Sequence, residues 1–445
     1  MAGTIVEWYE FFLYAAAATL VFNKIFFPPS EDPFENIIKA FLTYAVGFVS
    51  RPVGGVIFGH FGDKYGRKKL LQVAIILVGS TTFLMGCLPT YGKVGLIAPI
   101  LLVVLRFLQG IAVGGEWGGA ILLAAEHSPR KERGFWSSWP QAALPIGALM
   151  ATGVLLVLSW ALDDHAFLSW GWRVGFWLSV IIVAIGYYIR TKITDAAIFQ
   201  EAKAEVETEA AGKPVSSLAE VLRHYPGRVV TAMGLRFSEN ILYYVAVTFS
   251  ITYLSTHMHK NTSIILLLIL GAHAVHAASL PAFGRLSDRV GRKPIFVLGV
   301  VLTAVWGFVA FPAFNTGSDG LVLLAITSGL IIHALMYATE PALMAEMFPT
   351  RVRYTGVSLG YQVTSIFAGS MAPIIGTLLL SRFGSWVPIA IYISAGAVVT
   401  GVATVFLHET RGISLYELDQ ADRARRAAGS DVPEGPNGAE PISVR

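Results

Sequence analysis

A charged loop of ten residues occurs twice in the sequence, and this duplication constrains the fold more than any other feature. The first copy, at residues 59–68, and the second, at residues 284–293, share the pattern Gly-x-x-x-Asp-[Lys/Arg]-x-Gly-Arg-Lys. A second pair of charged segments, at residues 126–134 and 346–353, repeats at nearly the same offset. Two different loops that repeat at nearly one offset predict a duplicated chain with halves of roughly 220 residues.

The composition identifies lipid as the solvent for most of the chain. Hydrophobic residues make up 54% of the sequence and charged residues 14%, whereas soluble domains carry about 25% charged residues. A helix needs about 20 apolar residues to cross a bilayer. We therefore predict an all-α membrane protein with twelve transmembrane helices, at residues 4–23, 36–59, 70–88, 95–124, 134–160, 171–190, 228–256, 262–283, 294–313, 320–345, 355–381 and 386–407.

The predicted spans divide into two pseudo-symmetric bundles of six helices. The bundles occupy residues 1–191 and 228–408, a cytoplasmic linker occupies 192–227, and a partly disordered cytoplasmic tail occupies 409–445. The chain begins almost inside its first predicted helix, so we expect a short cytoplasmic segment to precede it in the natural protein. No signal peptide is predicted, because no charged segment or small-residue cleavage site flanks the first apolar run.

The basic residues are distributed by membrane side. The predicted cytoplasmic segments carry 24 Lys or Arg residues and the outer loops carry 5. This bias predicts that both termini are cytoplasmic, in a bacterial inner membrane. It also explains the sequence pI of 9.0 by topology, so we expect no nucleic-acid partner.

No pattern typical of an enzyme is present outside the predicted spans. The sequence has no P-loop, His-Glu-x-x-His or Cys-x-x-Cys pattern, so we expect neither an enzyme nor a cofactor nor ATP-driven pumping. The single cysteine, Cys87, excludes an internal disulfide framework. Parallel repeats in a membrane protein are typical of secondary transporters, with the path between the halves. One chain contains a complete path, so a monomer is expected.

Both copies of the duplicated loop fall between the second and third predicted spans of a half. At that position the motif resembles the signature loop of the major facilitator superfamily, and the resemblance implies the major facilitator fold for nearly the whole chain. Three further motifs resemble the metabolite:proton symporter family within that superfamily. They are Ile5-Val6-Glu7-Trp8-Tyr9-Glu10-Phe11-Phe12, Arg51-Pro52-Val53-Gly54-Gly55, and Arg106-Phe107-Leu108-Gln109-Gly110 followed by Gly114-Gly115-Glu116-Trp117-Gly118-Gly119.

The family resemblance implies a function with a defined range of substrates. Members of the metabolite:proton symporter family take up shikimate, 2-oxoglutarate, citrate and other organic acids, or proline and betaine. Their first-span motif usually has Asp where this chain has Glu10, which keeps the acid and adds one methylene. The fifth span lacks the antiporter-type Gly-Pro-x-x-Gly-Gly run, which favours symport.

Ionisable side chains within the spans are the main candidates for function, because a charge at the bilayer centre costs about 2.5–3.5 kcal/mol on insertion scales. Glu10 lies about 10 Å into the first span, and Arg106 lies near the middle of the fourth. The resemblance implies that both face one cavity. We predict that Glu10 takes the coupling proton and that Arg106 stabilises its ionised form until the two separate. The alternative is a static ion pair.

Two arginines are candidates for contact with a substrate carboxylate or with an internal partner. Arg51 offers a bidentate fork for a carboxylate, or it pairs with Glu7 or Glu116. Arg236, Glu239, Asn240 and Tyr243 share one helical stripe, which we expect to line the central path. Arg236 is the preferred carboxylate anchor, and the alternative is an internal pair of Arg236 with Glu239.

Aromatic and amide side chains in other spans are candidates for the wall of the site. The candidates are Tyr14, Trp117, Trp139, Gln141, Tyr361 and Gln362. The pair His273 and His276, and the pair His333 and Glu340, lie on the eighth and tenth spans. No third metal ligand is evident, so we predict cavity lining or helix–helix hydrogen bonds for the histidines and no metal site.

The signature loops are predicted to be conformational latches rather than binding sites. Asp63 and Asp288 can accept hydrogen bonds from the N-terminus of a neighbouring helix, where an anion is favoured. Arg67 and Arg292 can pair with acids at inner helix ends. The candidate acids are Glu126 and Glu346.

These observations together predict a transporter that imports a small organic acid with a proton by alternating access. The alternatives are a symporter of a zwitterion such as proline or betaine, a uniporter, and a membrane sensor that does not transport. The expected partners are a small carboxylate, protons and the lipid bilayer.

Overall fold

The computed structural model describes residues 2–32, 34–55, 57, 67–114, 122, 124–126, 128–192 and 217–420, and these residues are almost entirely helical. Most of the predicted linker and the tail beyond residue 420 lie outside these ranges, as do the predicted site residues Asp63 and Trp117.

Each of the twelve predicted spans overlaps a helix, which confirms the predicted fold class. The helices of the first half are α1 Thr4–Ile25, α2 Glu35–Val49, α3 Arg67–Cys87, α4 Ile97–Val113, α5 Arg133–Ala161 and α6 Trp172–Lys192. Those of the second half are α7 Pro226–Tyr244, α8 Thr262–Val290, α9 Arg292–Asn315, α10 Asp319–Met347, α11 Val352–Phe383 and α12 Val387–Val405. Within the described residues, eight helices are long and apolar enough to cross a membrane.

Helix α8 extends well beyond the predicted end of its span. The sequence predicts an end at residue 283, but the helix continues through Arg285 and Asp288 to Val290. It ends at Gly291, whose φ of 125° lies in the region that favours glycine. The first part of the duplicated loop is thus helical, and its glycine terminates the helix.

The helices differ in how much of their surface is buried, and this difference locates the centre of the molecule. In α1, 94% of the most apolar stretch is buried, whereas only 28% is buried in the span Asp164–Ile185, which includes the first part of α6. The exposed face of α6 carries Val180, Ile181 and Ile185, which suits contact with lipid. The Tyr9 hydroxyl of α1 donates to the Gly175 carbonyl of α6 at 2.7 Å. Helix α1 is therefore central, and α6 is peripheral.

Helices α2 and α4 approach so closely that their backbones touch at small residues. A Cβ atom added at Gly110 would lie 1.9 Å from the Ser50 hydroxyl and 2.2 Å from the Gly47 carbonyl oxygen. A Cβ atom at Gly114 would lie 2.0 Å from the Arg51 carbonyl oxygen. Such small-residue contacts allow close helix packing in membranes, and this one holds Arg51 against α4.

We expect Gly110→Ala to lower the thermal unfolding midpoint of the purified protein, because overpacking a close contact costs about 1–3 kcal/mol. Gly92→Ala is the matched control, since no atom lies within 4 Å of its added Cβ atom. Equal unfolding midpoints for the two variants would contradict the close approach of α2 and α4.

Candidate transport site

Two adjacent cavities lie between the halves, and both are lined by Trp8, Arg51 and Tyr361. The first-half cavity is further lined by Glu7, Glu10, Phe11, Gly47, Val78, Arg106, Gln109, Gly110, Val113 and Gln362. The second-half cavity is further lined by Leu144, Arg236, Glu239, Asn240, Tyr243, Tyr244, His333, Tyr337 and Ser365. Most of the predicted site residues therefore meet at the centre of the molecule.

Glu10 is 1% exposed and is bound by two neutral side chains. Its Oε2 atom accepts a hydrogen bond from the Thr82 hydroxyl at 2.8 Å and lies 3.5 Å from Gln109 Nε2. Gln109 Nε2 also donates to the Thr82 hydroxyl at 2.6 Å. Within the described part of the chain, Glu10 Oε1 has no hydrogen-bond partner. A proton on that oxygen would remove the charge that is costly to bury.

Arg106 forms no direct ion pair with Glu10, so the alternative of a static ion pair is not what this conformation has. Its Nη1 atom instead donates to Gln109, which lies one helical turn further along α4 and contacts Glu10 as well. The guanidinium carbon lies 4.3 Å from the Tyr14 ring centroid and 5.0 Å from that of Tyr44. Gln109 therefore stands between the acid and the base.

Tyr14 lies behind Arg106 rather than in the cavity wall. Its ring supports the guanidinium, and its hydroxyl forms a 2.6 Å hydrogen bond with the Thr43 hydroxyl. Since α1 and α2 supply these two residues, the contact fixes the orientation of Arg106 from outside the cavity.

Arg51 is buried, with 7% of its surface exposed, and no described carboxylate pairs with it. Its guanidinium carbon lies 4.6 Å from the Phe48 ring centroid and 5.1 Å from that of Phe11. Its Nε atom has no hydrogen-bond partner among the described residues. The predicted alternative of an Arg51–Glu7 pair is therefore not formed, and Glu116 lies outside the described residues.

Arg236 is held by two carboxylates and an aromatic ring. Its Nη2 atom lies 2.9 Å from Glu239 Oε1, and its Nη1 atom donates to Glu340 Oε1 at 2.6 Å. Its guanidinium carbon lies 3.5 Å from the Tyr361 ring centroid. Of the two sequence-based alternatives, this conformation has the internal pair, to which Glu340 adds a second acid.

The remaining members of the predicted α7 stripe connect to histidines of α8 and α10. Asn240 Nδ2 donates to Glu239 Oε1 at 2.8 Å. The Tyr243 hydroxyl lies 2.9 Å from His273 Nε2. His333 lies 3.2 Å from Glu239 and 3.0 Å from His276. The histidines thus form helix–helix hydrogen bonds, and no cluster of metal-binding residues is present in the described part of the chain.

The predicted wall residues have three different outcomes. Tyr361 and Gln362 line the cavities. Gln141 is buried between the halves, where its Nε2 atom donates to the Tyr337 carbonyl at 3.2 Å. Trp139 was predicted in the wall, but it is 39% exposed and packs on Phe135. Two residues along a helix rotate a side chain by about 200°, so α5 cannot turn both Trp139 and Gln141 inward.

The duplicated loop of the second half contacts the first half at one end of the bundle, which we call the loop end. Asp288 accepts hydrogen bonds from the backbone N–H groups of Gly134 and Phe135, each at 2.8 Å. These groups lie in the first turn of α5, where unpaired N–H groups and the helix dipole favour an anion. Arg292 Nη1 lies 2.5 Å from Asp288 Oδ1. The contact expected from the sequence is therefore present for Asp288.

Two reciprocal ion pairs join the halves at the loop end. Arg133 Nη1 lies 2.6 Å from Glu346 Oε1, and Arg353 Nη1 lies 2.8 Å from Glu126 Oε1. The sequence predicts that Arg67 and Arg292 pair with these acids. Arg292 does pair with Glu346, although its Nε atom, at 3.6 Å from Glu346 Oε2, is further away than Arg133. The Arg67 side chain lies outside the described part.

The segment that follows α12 also binds both halves at the loop end. Arg130 of the first half donates to the Ser414 hydroxyl at 2.5 Å, and Arg133 donates to the Ile413 carbonyl at 3.1 Å. In the second half, the Thr410 hydroxyl donates to Glu346 at 2.5 Å, and the Thr350 N–H donates to Asp419 at 2.7 Å. The first part of the predicted tail is thus docked.

Several residues that complete these contacts are not among those predicted from the sequence. Arg133 and Arg353 belong to the second pair of repeated charged segments, so the repeat could have predicted their reciprocal pairing. The position of Gln109, one helical turn from Arg106, indicated only weakly that the two side chains are in contact. Nothing in the sequence linked Thr82 to Glu10, because 72 residues separate them.

Comparison with known proteins identifies the family. A family model described as "Sugar (and other) transporter" matches residues 1–213 and 189–421. The shikimate transporter of Escherichia coli K12 is 36% identical over 412 residues, which cover 92% of this chain and 93% of that protein. The inner membrane metabolite transport protein YhjE of the same strain is 37% identical, with 93% and 94% covered. The proline/betaine transporter of that strain is 31% identical, with 97% and 85% covered.

A comparison with solved structures supports the same fold. The structure of the proton:xylose symporter XylE bound to 6-bromo-6-deoxy-D-glucose superposes with a TM-score of 0.73 and 17% identity, and the match covers 94% of this chain and 98% of that one. The chain therefore belongs to the sugar (and other) transporter family of the major facilitator superfamily, within the family known as the metabolite:proton symporter family, and it is a membrane transporter of metabolites rather than an enzyme.

Proposed function

We propose that the protein imports a small organic acid together with a proton. The observation that supports this proposal is the pair of guanidinium groups in the first-half cavity. Arg51 and Arg106 both line it, and neither pairs with a described carboxylate. Buried cations require a counterion, and the carboxylate of a bound substrate is a suitable one.

Glu10 links the proton to the anion in this proposal. An ionised Glu10 in the same cavity partly balances the two guanidinium groups when the carrier is empty. A proton on Glu10 neutralises its negative charge, so a substrate carboxylate at Arg51 can replace Glu10 as the counterion. The proton and the carboxylate therefore favour each other's binding, because together they keep the buried cavity close to neutral.

The loop-end contacts provide the conformational part of the cycle. We place the loop end in the cytoplasm, following the distribution of Lys and Arg, with both termini on that side of a bacterial inner membrane. The contacts of Asp288, Arg133 and Arg353 would then hold the cytoplasmic side shut while substrate binds from outside. One chain holds both cavities, so we propose that the monomer is functional.

A zwitterion is the second candidate, and the second-half cavity supplies a specific reason. There Arg236 and Glu239 lie beside Trp8, Tyr243 and Tyr337. Aromatic rings bind quaternary ammonium groups, while a guanidinium binds a carboxylate. A relative named as a proline/betaine transporter is 31% identical to this chain.

A thermal-shift screen of the purified chain with organic acids, proline and betaine tests the substrate class. We expect an organic acid to stabilise the protein. Stabilisation by betaine or proline alone would contradict the anion proposal. Counterflow of the stabilising compound in proteoliposomes then separates a carrier from a sensor, because only a carrier exchanges labelled substrate.

We expect Arg51→Gln to weaken binding of the stabilising acid by about tenfold or more, since a hydrogen bond to a charged group contributes about 1.5–3 kcal/mol. Arg382→Gln is the matched control, because the same change is made at an exposed residue near the end of α11. Equal dissociation constants for the two variants would contradict the role of Arg51.

A further inference from the structure

Three titratable side chains form a hydrogen-bonded row in the second half, and the proposed site for an organic acid does not use them. Glu239 Oε2 lies 3.2 Å from His333 Nε2, and His333 Nδ1 lies 3.0 Å from His276 Nε2. Each side chain is buried, and the three come from α7, α10 and α8. The row therefore joins three helices, and His276 and His333 lie near the middle of theirs.

The row has a direction that follows from its donors and acceptors. An ionised carboxylate only accepts, so His333 carries its hydrogen on Nε2. A neutral imidazole has one N–H, so His333 Nδ1 accepts from His276 Nε2. His276 Nδ1 is then left with a lone pair, and within the described residues it has no hydrogen-bond partner. The row begins with a free acceptor and ends at a carboxylate.

The charges around Glu239 favour one additional proton. Arg236 faces two carboxylates, Glu239 and Glu340, so one negative charge in this cluster lacks a partner. The other titratable groups that face the row include His273, Tyr243, Tyr244, Tyr337 and Tyr361, and none of them is a permanent cation. Arg51 reaches the same cavity but pairs with neither acid. A proton on Glu239 removes the uncompensated charge.

The internal repeat relates this row to the part of the first half that contains Glu10. The offset between the two duplicated loops also relates Arg51 to His276, and nearly the same offset relates Gln109 to His333. Gln109 contacts Glu10 on α1, and His333 contacts Glu239 on α7. The second half thus has histidine where the first has glutamine, and only histidine can accept and pass on a proton.

We propose that Glu239, His333 and His276 form a second proton site, so that two protons accompany each substrate. A proton binds His276 Nδ1 while the hydrogen on His276 Nε2 passes to His333 Nδ1. The hydrogen on His333 Nε2 then passes to Glu239 Oε2. Both imidazoles end neutral in their other tautomer, and the row has gained one proton. The reverse sequence releases it. This inference rests on the proposed proton-coupled function.

The test is the proton-to-substrate ratio of the full chain in proteoliposomes with the membrane potential clamped to zero. The probe is labelled shikimate, replaced by the most stabilising compound of the thermal screen if shikimate does not bind. At zero net flux, a tenfold proton gradient should balance a substrate gradient of about 100-fold in the unchanged protein. In His333→Gln it should balance about tenfold, because glutamine keeps both hydrogen bonds but passes no proton.

His276→Gln provides a second break in the row and is used if His333→Gln does not reconstitute. His273→Gln is the matched control, because His273 bonds to Tyr243 and its own helix but not to the row, and we expect it to keep the ratio of two. A ratio of one in the unchanged protein would overturn the second site, and so would a ratio of two in the row variants. A ratio of zero would instead overturn the proposed proton coupling itself.

Discussion

Net uptake is expected to fall by about 100-fold in Glu10→Gln, while exchange of labelled for unlabelled substrate across the membrane continues. Glutamine at this position mimics the protonated acid permanently. The loaded carrier then remains close to neutral and can reorient in both directions. The empty carrier keeps Arg51 and Arg106 in the first-half cavity without Glu10 as a counterion. An uncompensated charge near the bilayer centre costs about 2.5–3.5 kcal/mol, and that cost slows the return step.

The measurements that check this prediction are net uptake driven by a pH gradient and counterflow without a gradient, both in proteoliposomes. Glu35→Gln is the matched control, because Glu35 is an exposed acid that pairs with Lys39 at the start of α2. Control rates close to those of the unchanged protein are expected. Proton-driven uptake that survives in Glu10→Gln would show that Glu10 is not the coupling acid, and loss of both activities would show that it is needed for reorientation itself.

Asp288→Asn is expected to slow transport by about 10- to 100-fold while changing the substrate dissociation constant by less than about threefold. The carboxylate accepts from two backbone N–H groups of α5 and pairs with Arg292. Hydrogen bonds to charged groups contribute about 1.5–3 kcal/mol each, and an amide replaces the carboxylate poorly at a helix N-terminus. The change therefore destabilises the conformation in which the loop end is closed, and Asp288 lines neither cavity.

Transport rate and substrate affinity must be measured on the same preparation, because the prediction concerns their difference. Asp319→Asn is the matched control: Asp319 pairs with Lys260 at 2.5 Å, and it lies at the opposite end of the bundle within the second half. We expect that variant to transport at the unchanged rate. A normal uptake rate in Asp288→Asn would refute the latch, and a large loss of affinity would mean that the contact shapes the site instead.

The two halves share a scaffold but differ in their chemistry. Arg133 with Glu346 and Arg353 with Glu126 repeat one contact in both directions, as expected for a conformational element that both halves must operate together. In contrast, Glu10 is bound by Thr82 and Gln109, whereas Glu239 is bound by an arginine and a histidine. Duplication explains the repeated ion pairs at the loop end, and later divergence of the central residues explains the different partners of Glu10 and Glu239.

The order of the spans and the composition of the centre could be predicted from the sequence. A helix that crosses a bilayer must form its backbone hydrogen bonds internally and expose apolar side chains to lipid. Each of the twelve apolar segments could therefore be predicted as a span independently of the others. The cost of placing a charge within the membrane also predicted that Glu10, Arg106 and Arg236 are functional residues. All three line the central cavities.

Only the tertiary structure decided how those charges are partnered. The choice among Glu10, Gln109 and Glu340 as partners for the arginines depends on distances of a few ångströms between helices that are far apart in sequence. Helical periodicity assigns a face to a side chain, but it does not say which neighbouring helix that face meets. The sequence therefore determined that the chain is a duplicated membrane transporter, and its charged loops located the loop end. The packing of α1, α4, α7 and α10 determined that Arg51 lacks a described acid partner while Arg236 has two, because low-dielectric ion pairs form only where the helices bring the atoms into contact.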